Sequence, residues 1–238
     1  MKLHFTLLAL ATLSLAHAEE ISLFNGTDLS AWKEPLGTWS VVAGVSLDPA
    51  KPKAFIAEPG SGVMLNTLAG KTTDITSTVE HGDAQIHVEF NVPKDSNSGI
   101  YIQGRYEIQV FDSFGKDPIA VHDCGALYER WDPKRGKGNE GYEGHTPTVN
   151  ASKAPGEWQS FDITFRSARF DAEGKKIENA KFIKVLHNGK IIHENAEMTG
   201  PTRGAKFKED GPTGPLYIQG NHGPVAYRNF TLTPLTLK

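Results

Sequence analysis

The stretch that decides the fold runs from Gly99 to Phe111 and reads GIYIQGRYEIQVF. Its apolar side chains recur with a period of two, which is the pattern of a β-strand with one buried face. We therefore predict one strand over Gly99 to Phe111. The residues predicted to face a core are Ile100, Ile102, Ile108 and Val110, together with Leu216 and Ile218 farther along the chain.

The opposite face of this strand is the predicted ligand-binding or catalytic surface. The tetrapeptide Tyr-Ile-Gln-Gly at 101–104 returns at 217–220, so two strands present the same polar pattern. Tyrosine rings can stack on sugar rings, and amide, guanidinium and carboxylate groups can pair with sugar hydroxyls. The alternative is a merely solvated strand face. The residues of this face are Tyr101, Gln103, Arg105, Glu107, Gln109, Tyr217 and Gln219.

The rest of the chain also has the pattern of an all-β protein. It contains 24 glycines and 14 prolines, and no apolar helical period is sustained. Asn188-Gly189 predicts a two-residue hairpin turn. The long polar stretch at 132–155 predicts a surface loop, and loops of this length are usually functional or disordered. Residues 169–179 form a second polar insertion. The other predicted strands are Ala84–Val92, Trp158–Phe165, Phe182–His187, Lys190–His193, Pro215–Gly220 and Tyr227–Thr233.

The amino terminus predicts export. Residues 1–18 combine a basic start, a short apolar run and a small-x-small ending, as in a secretory signal peptide cleaved after Ala18. The apolar run is too short to span a bilayer. We expect a periplasmic or extracellular protein whose residues 19–238 form a single domain.

Composition excludes several partners and leaves others open. The chain has 25 Lys and Arg and 28 Asp and Glu, and the two signs of charge are interspersed along the sequence. The sequence therefore predicts no basic patch of the kind that binds nucleic acid. Cys124 is the single cysteine, so no intramolecular disulfide can form. No cofactor or metal is predicted. Sandwiches of this kind sometimes hold structural Ca²⁺, but the aspartates at 112, 123 and 132 are too scattered to assign a site. The sequence does not indicate an oligomeric state.

Glu107, His222 and Arg105 are the candidates for proton transfer or charge stabilisation. Glu107 could act as an acid or base within a groove, or form a plain ion pair with Arg105. His222 follows the second Tyr-Ile-Gln-Gly and could titrate near neutral pH or be a structural turn residue. Arg228 is a weaker substrate-binding candidate, because its parity matches Phe230 and points it toward the core.

A series of ordered motifs covers nearly all of residues 19–238: Leu23–Leu29 with Trp32, Asn97–Tyr101, Arg105–Gln109, Cys124–Tyr128, Pro155–Trp158, Asn188–Gly189, Gly214–His222 and Arg228–Phe230. With these motifs the chain resembles the bacterial 3-keto-disaccharide hydrolase domain family, which is similar in fold to glycoside hydrolase family 16. The Glu-x-Asp-x-x-Glu strand of family 16 enzymes is absent from this sequence, which disfavours direct glucan hydrolysis.

The resemblance implies a concanavalin-A-like jelly roll, a two-sheet antiparallel sandwich, and activity on glycosides that carry a ketone at sugar carbon 3. We expect proton abstraction beside the ketone, elimination and hydration, with a small carbohydrate as substrate. In this hypothesis Glu107 is the acid or base, with Arg105 and His222 as oxyanion or hydroxyl partners. The alternative function is a non-catalytic, lectin-like carbohydrate-binding module. The predicted substrate-binding residues are Tyr101, Gln103, Gln109, Tyr217, Gln219 and Arg228.

Overall fold

A computed structural model describes residues 18–237 of the chain. The predicted signal peptide therefore lies outside the described residues, apart from Ala18. The elements are β1 Ile21–Ser22, β2 Ser40–Asp48, β3 Lys51–Leu65, β4 Ile75–His81, β5 Ala84–Asn91, β6 Asn97–Ile102, β7 Tyr106–Phe111, β8 Arg130–Trp131, a 3₁₀ turn Pro133–Arg135, β9 Gly141–Tyr142, β10 Gln159–Arg166, β11 Arg169–Phe170, β12 Lys176–Glu178, β13 Ala180–His187, β14 Lys190–Met198, β15 Gly214–Ile218 and β16 Ala226–Pro234.

Two antiparallel sheets form the body of the protein. The larger sheet has the strand order β14-β13-β10-β5-β16-β3-β2, with β1 paired to β16. The smaller sheet has the order β4-β15-β6-β7. Several neighbouring strands, such as β5 and β16 or β4 and β15, come from distant parts of the sequence, which is the connectivity of the expected jelly-roll sandwich. The predicted fold class is confirmed.

The core lies between the two sheets. Ile100 and Ile108 of the smaller sheet are fully buried in one cluster with Ile86 and Ile163 of the larger sheet. The rings of Tyr106 and Phe165 bridge the sheets with centroids 5.6 Å apart. Because successive strand side chains point to opposite faces, burying the even positions turns Tyr101, Glu107 and Gln109 to the other face.

The predicted hairpin at Asn188-Gly189 is confirmed. Both residues have positive φ, 51° and 76°, and they join β13 to β14. The predicted loop at 132–155 is not wholly irregular, because β9 folds back onto β8 and pairs Trp131 with Gly141. The insertion at 169–179 likewise contains the small hairpin of β11 and β12.

The prediction of one strand from Gly99 to Phe111 is wrong. The chain turns back after Ile102, and β6 pairs with β7 so that Tyr101 faces Glu107 across the ladder. The turn is built on Gln103 and Gly104, whose φ angles are 55° and 65°. A strand cannot continue through two residues in this left-handed conformation.

Among residues 18–237, no helix is long and apolar enough to cross a membrane.

Candidate functional site

A cavity of about 380 Å³ opens on the polar face of the smaller sheet. This volume falls within the range of about 300–1,000 Å³ that is usual for small-molecule sites. Strands β6 and β7 form its floor, and the loops after β14 and β15 form its walls. Its lining residues are Asn97, Tyr101, Glu107, Gln109, Tyr128, Arg203, Gly204, Gln219 and His222.

The carboxyl group of Glu107 is the buried acid of this cavity. Its residue is only 3% exposed. Burial disfavours the carboxylate and raises the pKa of Glu107 to about 8, against weaker opposing effects of a hydrogen bond from Tyr101 and the charge of Arg203. At pH 7 the group is therefore mostly protonated, and its conjugate base is stronger than that of an ordinary glutamate. Such a group can both take and return a proton.

Glycine at position 99 makes room for this carboxyl group. Gly99 is a diagonal neighbour of Glu107 on the same face of the β6–β7 ladder. A Cβ atom added to Gly99 would lie 2.2 Å from Oε1 of Glu107. The side chain of Glu107 thus crosses directly over the backbone of β6.

Tyr101 lies beside Glu107 with a fixed hydroxyl. The side-chain amide of Gln219 donates to the Tyr101 hydroxyl oxygen over 2.8 Å, and that hydroxyl donates to the backbone carbonyl of Arg203 over 3.1 Å. Burial, with the nearby Glu107 charge, raises the pKa of Tyr101 well above its usual value. Tyr101 therefore remains a proton donor across the physiological pH range.

Two amide oxygens of the cavity have no protein partner. Among the described residues, nine buried side-chain polar atoms lack a hydrogen bond, and Oδ1 of Asn97 and Oε1 of Gln109 are two of them. Both residues line the cavity. A buried acceptor without a donor is costly, so a ligand hydroxyl at either oxygen would be stabilised.

His222 lies exposed at the rim of the cavity, on a turn that Asp74 and Asn66 fix by hydrogen bonds. Asp74 accepts hydrogen bonds from the backbone amides of Gly220 and Asn221, over 2.8 and 3.1 Å. The amide of Asn66 donates to the carbonyl oxygen of Gly223 over 2.8 Å. Desolvation, with the charge of Lys71, lowers the pKa of His222. The imidazole is thus neutral at pH 7.

Two predicted site residues, Gln103 and Arg105, do not line the cavity. The Gln103 amide donates to the carbonyl oxygen of His81 over 2.9 Å. Arg105 donates to the carbonyl oxygens of Gln103, Glu209 and Thr213 over 2.6 to 3.0 Å. Both residues belong to the turn between β6 and β7, so the alternation that predicted them ends before they are reached. They hold surrounding loops together.

Tyr217 and Arg228 also lie outside the cavity lining. The Tyr217 ring packs against Tyr101 at 5.2 Å, and its hydroxyl donates to Asp74 over 2.5 Å. Arg228 lies on the larger sheet, where it pairs with Glu89 at 2.7 Å and covers the ring of Trp158 at 4.1 Å. The expected inward direction of Arg228 is wrong.

A bulge in β16 reverses the direction of Arg228. The register between β16 and β5 shifts between Arg228 and Thr231, and Asn229 has a φ of 48°. The extra residue places Tyr227 and Phe230 both in the core, although they are an odd number of residues apart. The side chain of Arg228, which lies between them, therefore points away from the core.

The structure adds three polar cavity residues that the strand pattern did not select. Asn97 begins β6, Tyr128 follows a bridge beside β7, and Arg203 is in the loop after β14. The Tyr128 amide donates to the Glu107 carbonyl oxygen over 3.0 Å, which extends the smaller sheet by one segment. Arg203 supplies the guanidinium group that had been expected from Arg105.

Within residues 18–237, no group of three or more His, Cys, Asp or Glu side chains is placed to hold a metal ion. The cavity lining contains one carboxyl group, one guanidinium, two phenols, one imidazole and three side-chain amides.

The fold and cavity define an all-β jelly-roll protein with a polar small-molecule site that contains a buried acid. Residues 19–233 match the profile of the 3-keto-alpha-glucoside-1,2-lyase-like domain family, and the chain belongs to that family. The expected family resemblance is thus confirmed.

Two solved structures from Parabacteroides distasonis are similar to this chain in fold. A candidate glycosyl hydrolase of Parabacteroides distasonis is 27% identical, with a TM-score of 0.64, covering 91% of this chain and 84% of the other. A second protein of that organism with the same description is 19% identical, with a TM-score of 0.57 and coverage of 91% and 100%. The comparison with curated proteins finds no match.

Proposed function

We propose that this protein is an enzyme that cleaves glycosides oxidised to a ketone at sugar carbon 3. The observation that carries the proposal is the carboxyl group of Glu107, buried beneath a polar cavity with its pKa raised to about 8. Membership of the 3-keto-alpha-glucoside-1,2-lyase-like family supports the substrate class. We further propose that the protein is exported, as its first 18 residues predict.

The reaction begins at the carbon beside the ketone. The ketone at carbon 3 acidifies the proton on carbon 2, and the ionised carboxylate of Glu107 removes it. The electron pair moves onto the carbon 3 oxygen as an enolate. When that pair returns, a double bond forms between carbons 1 and 2, and the oxygen substituent of carbon 1 leaves and takes up a proton. Addition of water across the double bond then gives net hydrolysis.

The remaining cavity residues take supporting roles in this reaction. The Arg203 guanidinium is the cationic donor that lines the cavity and is available to a developing enolate oxygen. Protonated Glu107 can return the proton to the leaving oxygen, and the neutral imidazole of His222 at the rim can hydrogen-bond to a substrate hydroxyl. The unpartnered amide oxygens of Asn97 and Gln109 can accept from sugar hydroxyls and so orient the ring.

The geometry favours an enzyme over a non-catalytic carbohydrate-binding module. A binding module has no need to bury an unpaired acid, which costs stability whenever the group ionises. Glu107 is buried and lines the same cavity as His222. A proton-transfer residue is therefore present inside the site where the sugar would lie.

The test is the Glu107→Gln variant, which keeps the shape of the side chain and removes its titrating group. On a 3-keto-disaccharide we expect kcat to fall by about 10²- to 10⁴-fold, the usual effect of losing a general base. The unoxidised parent disaccharide should be left uncleaved by the wild type. Release of monosaccharide is the measurement.

The matched control is Glu194→Gln, which removes the charge of an exposed glutamate on β14. It should keep the wild-type rate. A Glu107→Gln protein that cleaves the 3-keto-disaccharide at the wild-type rate would refute the proposed role of Glu107. Equal cleavage of the oxidised and parent sugars by the wild type would refute the substrate class.

A further inference from the structure

A second depression adjoins the cavity described above. It also has a volume of about 380 Å³ and shares Arg203 and Gly204 with that cavity. A ligand that crosses this shared rim would therefore occupy both sites. The residues of the second depression that matter here are Arg130, Trp131, Tyr142, Arg203, Gly204 and Lys208.

The charged residues that line this depression are all cations. Arg130, Arg203 and Lys208 line it, and no carboxylate does. Arg130 lies 3.5 Å from Glu143, which is outside the lining. Over residues 18–237, neither Arg203 nor Lys208 has a carboxylate within ion-pair distance. The lining of the depression is therefore cationic, although Arg130 is paired with Glu143 and an adjoining depression that shares Arg203 contains Glu129 and Glu140.

The aromatic rings of this depression hold guanidinium groups in place. The Arg203 guanidinium lies 3.7 Å above the centroid of the Trp131 ring, and the Arg130 guanidinium lies 5.1 Å from that of Tyr142. Arg135 also lies over the Tyr142 ring, at 4.4 Å. A guanidinium that stacks through its face keeps its N–H groups at the edge, where they can donate to a planar carboxylate.

The same stacking occupies part of the ring surface on which an uncharged sugar would pack. A sugar ring packs its C–H groups onto an aromatic face. A guanidinium already lies over a face of each ring, at the distances given above for Trp131 and Tyr142. The depression thus presents guanidinium hydrogen-bond donors that its aromatic rings hold in position.

We infer that the second depression binds the substituent that leaves from sugar carbon 1, and that it selects a substituent bearing a carboxylate, such as a uronic acid. This inference rests on the proposed function, because it assigns the 3-keto sugar to the cavity of Glu107. The shared rim has little side-chain bulk at Gly204, where a Cβ atom would lie 2.8 Å from the Tyr101 hydroxyl oxygen. Glycine at this position leaves no side chain on the shared rim.

The β8–β9 hairpin, which includes part of the long insertion at 132–155, supplies lining residues of the second depression. It carries Trp131 and Tyr142, and the register pairs Tyr142 with Arg130. The hairpin therefore delivers one half of the depression, and the loop after β14 delivers Arg203 and Lys208 as the other half.

The kinetic test compares two 3-keto-disaccharides of the same linkage, one with glucose and one with glucuronic acid as the leaving sugar. For the wild type we expect kcat/KM to be at least tenfold higher for the acidic substrate. Lys208→Gln should lower this ratio at least threefold, and Arg130→Gln should lower it further. The control Lys190→Gln removes an exposed lysine next to the turn of the β13–β14 hairpin and should leave the ratio unchanged.

A binding experiment separates this inference from the proposed function. Calorimetry with the two unoxidised disaccharides and the full protein requires no cleavage. The acidic sugar should bind more tightly than the neutral one, and added salt should reduce the difference. If no 3-keto sugar is cleaved but this preference holds, the proposed function fails and the carboxylate site stands. If cleavage occurs without a charge preference in either assay, or if Lys208→Gln and Arg130→Gln both keep the full preference, the inference is overturned.

Discussion

At the turn of the β6–β7 hairpin, Arg105 donates hydrogen bonds to three backbone carbonyl oxygens, whereas on the cavity face of the ladder Glu107 has no ion-pair partner among the described residues. Both regions carry a buried ionisable side chain. At the turn, the buried charge is compensated by the protein itself. On the cavity face, burial raises the pKa of Glu107. The difference separates polar groups that build the scaffold from polar groups held ready for a ligand.

The cavity face of the ladder should be the more sensitive to a single added methyl group. In Gly99→Ala the new Cβ would displace the Glu107 carboxyl group from its position over β6. We expect kcat/KM on a 3-keto-disaccharide to fall about 100-fold, as a misplacement of about 1 Å can cause. Gly44→Ala is the control, since its Cβ would be 3.7 Å from the nearest Glu58 oxygen. Equal activity of both variants would contradict the assigned position of the carboxyl group.

The turn end should affect stability more than catalysis. Arg105→Gln leaves carbonyl oxygens of Gln103, Glu209 and Thr213 without their donor. We expect the free energy of unfolding to fall by about 1–3 kcal/mol, measured by urea denaturation. At a temperature where the variant is folded, its kcat should stay within about threefold of wild type. A large loss of kcat with unchanged stability would instead return Arg105 to the catalytic residues.

The outer face of the larger sheet should respond least. Arg228→Gln removes a partly exposed ion pair with Glu89 and the contact with Trp158. A pair of this kind contributes at most about 1 kcal/mol. Both kcat and KM should remain within twofold of wild type. A rise in KM of tenfold or more would show that Arg228 contacts the substrate.

The alternation of Gly99–Phe111 was sufficient to predict the buried face and, on the other face, Tyr101, Glu107 and Gln109. It failed where the backbone leaves the extended conformation. The Gln103-Gly104 pair is the available signal for a two-residue turn, because glycine tolerates positive φ. Asn229 is the equivalent signal for the bulge that turns Arg228 outward.

The residues that the strand pattern did not select lie where no periodicity exists. Arg203 reaches the cavity from the loop after β14, and Tyr128 reaches it through a bridge next to β7. Their positions depend on contacts between segments that are far apart in the sequence. A pattern of period two carries no information on such loops, whereas the repeated Tyr-Ile-Gln-Gly did locate Gln219 and led to His222.

The central claim is that Glu107 acts as a base whose pKa burial has raised to about 8. The most direct measurement is the pH dependence of kcat/KM on a 3-keto-disaccharide between pH 6 and 10, for the wild type and Glu107→Gln. Because the ionised form must act, the wild-type value should rise about tenfold per pH unit below pH 8 and level off above it, and the variant should lack this step. A wild-type value that falls through pH 8, or that does not change between pH 6 and 9, would contradict the account.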